Sequence, residues 1–231
     1  MASIQVNDLI FTVSTVINDT SNSRWTRSEM LQWINDGQRE VVLFRPEASI
    51  TNGPVNLVPG VTQQSIPASG IVLVDIIRNL GSNGSTPGKP IRVVPRDVLD
   101  SQVPDWHSTP NTLGYIENFT FDPRDQRHFY VYPMAPVTAW TVECVYSVTP
   151  TDCVFGGTIG VDDIYANALV NYVLFRCYSK DATYAANAEL AMAYYSAFTS
   201  GLTGKSNTEM ADNPNRLGVA TTNPNTPIKV A

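Results

Sequence analysis

Asp122 and Asp125 lie three residues apart in the run Asp122-Pro123-Arg124-Asp125-Gln126, and Asp162 sits beside Asp163. Two carboxyls held close together could divide proton donation and water activation between them, as a glycosidase requires. The first pair lies in turn-forming sequence and reads as hairpin-turn chemistry, whereas the second precedes an apolar periodic segment and reads as a helix cap. His107 follows Pro104-Asp105-Trp106 and could act as a base with Asp105. Adjacent side chains seldom aim at one reacting atom and no nucleophile accompanies them, so loop packing is its expected role. Gly156-Gly157-Thr158-Ile159-Gly160 clusters glycines without the lysine of a phosphate loop, and such clusters serve turns. Cys144, Cys153 and Cys177 are odd in number and not spaced as CxxC, with only His107 and His128 as further ligands. Neither a disulfide framework nor a zinc site is expected. GxSxG, HExxH, GxxxxGK[ST] and a GxGxxG after a strand are all absent from the sequence. The expectation is therefore a protein that is not an enzyme, with no catalytic residue, cofactor or metal ligand.

Composition narrows the class further. Of 231 residues, 43% are hydrophobic and 16% charged, with a net charge of −6. A chain of this size buries enough surface for one large domain or two small ones sharing a core. No run approaches the roughly 18 apolar residues of a membrane span; the greasiest, Ile71 to Ile77, is short and holds Asp75. Ile4 to Ile17 alternates polar and apolar residues where a secretory signal would be continuous, which points to synthesis in the cytoplasm. An acidic chain with four lysines lacks the basic patch that grips phosphates.

The elements that must position these residues are legible as periodicities. Val6, Leu9, Ile10, Val13, Val16 and Ile17 mark one stripe of a helix running from Gln5 to Asn18. After a polar link from Asp19 to Arg24, Thr26 and Glu29 form a capping box, with Trp25 placed to staple onto Met30. This second helix continues through Leu31, Ile34, Gly37 and Val41 and stops before Pro46. Two helices joined by so short a link are expected to pack antiparallel. From Thr51 to Pro150 the texture becomes Gly, Pro, Thr and Val with period-2 runs, the mark of antiparallel strands. Trp140 to Val148 alternates most clearly, with Trp140, Val142, Cys144, Tyr146 and Val148 expected inside and Thr141, Glu143 and Ser147 in water. Tyr115 to Phe121 and Arg127 to Tyr132 flank the Asp122 turn as a hairpin with aromatic residues pairing across it. Those aromatics read as core, with a sugar-binding platform as the competing reading. The polar, Gly-rich stretch from Gly81 to Pro90 reads as an exposed loop.

Tyr165, Ala168, Leu169, Tyr172 and Val173 begin a third helix over Asp163 to Tyr178, capped by Asp162 or Asp163. Ala188, Ala191, Tyr195, Phe198 and Leu202 mark a fourth, which Gly201 and Gly204 are expected to end. Beyond it, 205–231 has five asparagines, Pro214, Pro224 and Pro227, and no periodicity. Fully extended it could reach on the order of 90 Å. Its ending, Pro227-Ile228-Lys229-Val230-Ala231, suits strand addition or groove binding on a partner. The expected fold is α+β: a four-helix bundle from the N- and C-terminal helix pairs (1–48 and 156–204), an inserted antiparallel β-rich region (49–155) and an extended C-terminal tail (205–231).

Three segments carry a resemblance. Trp25-Thr26-Arg27-Ser28-Glu29-Met30-Leu31-Gln32-Trp33-Ile34-Asn35-Asp36-Gly37-Gln38-Arg39-Glu40 resembles the second helix of the head-to-tail adaptor (connector) proteins of tailed bacteriophages, of the tail-tubular-protein-A kind. That helix reads W-[ST]-x-x-E-L-x-x-W-[IL]-N-[DE]-[AG]-Q-R-E. Asp122-Pro123-Arg124-Asp125 followed by Phe129-Tyr130-Val131-Tyr132-Pro133 is similar to their hairpin, and Tyr165 to Asp181 to their third helix and the turn after it. The resemblance implies a virion protein at the head-tail junction: a homo-oligomeric ring, commonly of twelve copies, fastened beneath the portal protein and offering a platform to a tail tube or nozzle protein. Genomic DNA would pass through its channel without specific binding. Trp25, Thr26, Glu29, Trp33, Tyr172 and Arg176 would define the fold; apart from the resemblance, the tail's own sequence marks Asn213, Pro214, Arg216, Leu217, Pro227, Ile228, Lys229 and Val230 as expected to bind the portal or a neighbouring subunit. The Gly-rich loop and the Asn/Pro-rich tail depart from the family pattern. The competing reading is a carbohydrate-binding or cell-wall-degrading virion protein that uses the aromatic hairpin with Asp122 and Asp125.

Overall fold

The computed structural model describes residues 3–122, 124–181 and 185–212, and for 204–212 the backbone alone. The first apolar stripe winds into α1 (Val6–Val16), which buries Val6, Leu9, Ile10 and Val13. Just past it, Asn18 takes a left-handed φ of 58° that turns the chain. The polar link that follows is organised by one side chain. The Asp19 carboxylate accepts the backbone N–H groups of Ser23, Arg24 and Trp25 at 3.1, 2.9 and 3.2 Å. α2 (Arg27–Phe44) opens on the reciprocal capping box: Thr26 Oγ1 accepts from Glu29 N at 3.3 Å and Glu29 Oε2 from Thr26 N at 3.1 Å. A single 3-10 turn, Pro46–Ala48, then leads into the sheets.

The strands are β1 (Ile50–Leu57), β2 (Gln63–Ser65), β3 (Gly70–Gly81), β4 (Arg92–Val93), β5 (Asn118–Thr120), β6 (His128–Tyr132) and β7 (Trp140–Val148), with a short helix α3 (Arg96–Gln102) after β4. They form one sheet in the order β1-β7-β3 and another in the order β2-β6-β5-β4. Their inner faces share a core of Val55, Leu57, Ile76, Phe119, Phe129 and Val142 among others. β7 differs from expectation, because Thr141 and Ser147 are buried along with its apolar face. The 81–90 loop meets Thr141, whose Oγ1 would stand 3.4 Å from a Cβ at Gly84 and which donates to Asn56 Oδ1, and the 3-10 turn lies near β7. The hairpin forms, but Phe119 faces Val131 and Thr120 faces Tyr130, so the aromatic side chains do not pair across it. Along β3 burial recurs every third residue. Gly70, Leu73, Ile76 and Asn79 are buried while Ile71, Val74 and Ile77 are exposed. A register shift at each step makes β3 spend three residues for every two of β7, and the extra residue bulges outward. The 81–90 loop is mostly exposed and folds back on β3, with Asn79 O accepting from Gly88 N at 2.8 Å.

α4 (Ala166–Lys180) and α5 (Ala185–Asp212) complete the chain. They run antiparallel, since Tyr172 meets Phe198, Phe175 meets Tyr195 and Tyr178 meets Tyr194. Residues of α1, α2, α4 and α5 share one apolar cluster, separate from that of the sheets. Two expectations fail here. Neither Asp162 nor Asp163 caps α4 with its side chain: a 3-10 turn, Asp163–Tyr165, precedes the helix, and the Asp163 carboxylate instead holds Ser3 N at 2.8 Å and Ile4 N at 3.1 Å. Nor do Gly201 and Gly204 end α5, which runs on to Asp212. Glycine weakens a helix by about 1 kcal/mol without breaking it. Buried Phe198 and Leu202 hold this stretch in place, and proline first intervenes at Pro214.

Gly37 is fixed by close approach. A Cβ there would stand 2.9 Å from Tyr172 Cδ1 and 3.2 Å from Leu169 Cδ2. Gly37→Val should lower stability by about 1–3 kcal/mol through overpacking, read as a lower urea midpoint with an unchanged slope. The thiols make a second test. Burial pushes Cys144 and Cys177 up to about 12 and raises Cys153 as well. A thiol reagent should therefore label no cysteine in the native protein within minutes and all three in denaturant.

Candidate functional site

The residues shared with the adaptor motif converge on the joint between α2, α4 and the connector returning from the sheets. Asn35 clamps that connector at both backbone groups of Cys153, accepting from N at 2.7 Å and donating to O at 3.3 Å. Gln38, only 1% exposed, accepts from Gly160 N and donates to Asn35 Oδ1. Gly160 is required by that contact, because a Cβ would lie 2.7 Å from Thr151 O and 3.1 Å from Gln38 Oε1. Arg39 extends the clamp to Asp152. Sequence reasoning missed this role for Asn35 and Gln38. The signal was two amides spaced to one face of an apolar helix.

At the start of α2 the capping residues serve two helices. Trp25 Nε1 donates to the Cys177 carbonyl of α4 at 3.2 Å, and Lys180 Nζ reaches Glu29 Oε1 at 2.7 Å. The Lys180 hydrogen bond, helped by Thr26 N–H, holds the Glu29 carboxyl below its usual range. Arg24 pairs with Asp181 at 2.7 Å. Further along, Arg176 approaches Asp36 at 3.9 Å, the Tyr172 ring covers Gly37, and half-buried Trp33 packs against the helical core. These contacts position the helices.

The candidate chemical pairs come apart on inspection. Arg124 hydrogen-bonds Asp122 and holds its carboxyl down at about 2, and the His128 hydrogen bond lowers Asp125. Carboxyls lowered in this way are poor proton donors at neutral pH. His107 stacks on Trp106 at 3.6 Å between ring centroids and meets Thr62 Oγ1 at 2.9 Å, so it packs a loop. Of the hairpin aromatics, Phe119 and Phe129 are buried in the sheet core, while Tyr115, Phe121, Tyr130 and Tyr132 are half-buried. Among the described residues, no cluster of three or more metal-ligating side chains forms, and no helix is long and apolar enough to cross a membrane.

What the molecule does offer is surface. Phe11, Leu43, Val154, Phe155, Leu190 and Met192 are exposed apolar side chains of the helical part. An open depression between α1, α2 and the 154–156 turn is lined by Asn7, Arg27, Ser28, Phe155 and Gly156. Asn213, Pro214, Arg216, Leu217, Pro227, Ile228, Lys229 and Val230 lie outside the described residues, and 205–212, expected as tail, is helix.

Acid should loosen this framework in a defined window. Three backbone N–H groups outweigh partial desolvation to hold Asp19 at about 2, and Asp122 also titrates at about 2, against about 3.9 in an unfolded chain. Their stabilisation is complete above about pH 4 and is lost as the pH falls toward 2. Asp19→Asn should be measurably less stable than the parent in urea at pH 7, and the gap should narrow at pH 2.5.

A family model described as SU10 adaptor protein matches residues 4–218, a span that takes in both helical segments and both sheets. No curated protein matches the chain. The match agrees with the resemblance carried by Trp25 to Glu40 and Tyr165 to Asp181, and with a structural role in a bacteriophage: the chain belongs to the SU10 adaptor protein family.

Proposed function

We propose that this adaptor closes with further copies of itself into a ring of twelve that fastens beneath the portal protein. The ring would offer a platform to the tail tube or nozzle protein and continue the DNA channel out of the capsid. The observation that carries this reading is the family match over residues 4–218. The protein is made in the host cytoplasm and resides at the head-tail junction of the virion. Its net charge of −6 supports the channel role, since an acidic wall repels the duplex and lets it slide during ejection without specific binding. A ring of identical subunits uses two different patches on each copy, and a tether reaching a neighbour strengthens such a contact by raising its effective concentration. We assign that tether to the segment after Asp212. Asn213, Pro214, Arg216 and Leu217 follow the helix, while Ile228 and Val230 alternate with Lys229 beyond Pro227, a spacing suited to an extended segment on a partner. In this arrangement the helical part and the tether face the portal, and the sheets face the tail. Trp25, Thr26, Glu29, Trp33, Tyr172 and Arg176 keep the helical part in shape.

The carbohydrate reading has no support: Phe119 and Phe129 of the hairpin are buried, and Asp122 and Asp125 are engaged by Arg124 and His128. Native mass spectrometry of the purified chain, alone and with portal rings from the same genome, tests the proposal. A defined multimer on the portal is the expected result, and a chain that ignores the portal at micromolar concentration overturns it. Deleting 213–231 should leave the circular dichroism spectrum and melting temperature in place while reducing ring yield on the portal. An undiminished yield would remove the tether from the proposal.

A further inference from the structure

The helical part carries two exposed apolar faces, and they differ in kind. On the α1 flank, Phe11 is 69% exposed and Val154 and Phe155 are 65% and 49% exposed. Phe155 lines a depression together with Asn7, Arg27 and Ser28, and Phe11 follows Asn7 by one turn of α1. Arg27 lies over the Phe155 ring, 5.5 Å from its centroid, and donates to Asn7 Oδ1 at 2.8 Å. It has no carboxylate partner among the described residues. On α5, Ala186, Leu190, Ala193 and Ala197 recur at helical spacing along one exposed side, away from the buried Ala191, Phe198 and Leu202. Glu189 borders that side; it is the one charged residue of 185–203 and has no ion-pair partner among the described residues.

Topology keeps the two faces apart within one subunit. α1 and α5 each pack on α4, and neither packs on the other to a comparable extent, so the faces look out on different sides of the shared core. One face projects aromatic side chains beside an unpaired cation. The other is a shallow alanine-lined face beside an unpaired anion. Exposed apolar patches with complementary charge mark contact surfaces, and two different patches on one subunit make a heterologous contact that propagates from copy to copy.

We propose that the Phe11–Phe155 face of one copy docks on the Leu190–Ala197 face of α5 in a second copy of this chain, with Arg27 of one facing Glu189 of the other. This rests on the ring reading and names the surfaces that build the ring. Four full-length proteins test it on portal rings by native mass spectrometry: the parent, Arg27→Glu, Glu189→Arg and the double reversal. Both positions are exposed, and circular dichroism confirms that each variant is folded. Each single reversal should raise the concentration for half-assembly at least tenfold, and the double reversal should restore it to within about threefold. A covalent readout runs in parallel. Phe11→Cys with Ala193→Cys in one chain should give a disulfide-linked ladder on oxidation, each single substitution should give none beyond dimer, and the three buried native cysteines stay silent. Rings that assemble with neither charge rescue nor a ladder overturn this contact and leave the ring reading standing. A parent chain that never assembles overturns both.

Discussion

A backbone N–H or carbonyl drawn out of water without a partner costs about 1–3 kcal/mol, and the chain returning from the sheets to the helices brings such groups of Cys153 and Gly160 against α2. The connector over 151–160 lies against α2, where Asn35 and Gln38 supply the missing partners at Cys153 and Gly160. Once that joint is made, much of the helical part follows from it. α4 starts where the connector ends, meets α2 through Gly37 and Tyr172, and is tied at its far end to Trp25 and Glu29. α2 therefore carries two duties along its length, an apolar face for the helices and an amide pair for the crossing chain.

The sheets are attached at a narrow waist. The chain enters them at Ser49 and leaves them at Val148, and those two residues are hydrogen-bonded to each other at 2.8 Å. Entry and exit are thus side by side, and the two apolar clusters on either side of the waist share no residue. β7 is the central strand of its sheet, pairing with β1 on one edge and β3 on the other, and the 3-10 turn lies near it. Within the sheet part, buried Asn79 does what Asn35 and Gln38 do at the joint. Its amide bonds the carbonyls of Lys89 and Ile116 and its oxygen accepts from Ile116 N and Trp140 Nε1, so one side chain gathers three separate segments.

Ionisable groups in this protein are spent on shape. Asp19 folds a turn, Asp163 holds the N-terminal segment, Glu29 meets a lysine from another helix, Asp122 pairs with Arg124, and Asp125 hydrogen-bonds the His128 ring. The thiols are buried and protonated. Arg27 and Glu189 form no ion pair among the described residues, and each borders exposed apolar side chains.

Local signals were strong enough to read wherever a residue's role is set by its near neighbours. The capping box at Thr26, the stripes of α1 and α4, the alternation of β7 and the turn at Asp122 all depend on sequence separations of a few residues, and the structure shows each element where its pattern lies. The adaptor family too was legible, in Trp25 to Glu40 and Tyr165 to Asp181. What sequence could not decide were the roles that depend on distant partners. Asn35 and Gln38 looked like ordinary polar helix residues, because the backbone groups they satisfy lie more than 110 positions away. The same holds for Asp163, recruited by Ser3 and Ile4 and not by its own helix, and for Thr141, which the 81–90 loop meets at Gly84. The bulges of β3 were invisible for the same reason, since a register exists only between two strands. Periodicity records which side of an element is apolar; which neighbour covers that side, and which polar group it must satisfy, is fixed only when segments far apart in the chain are brought together.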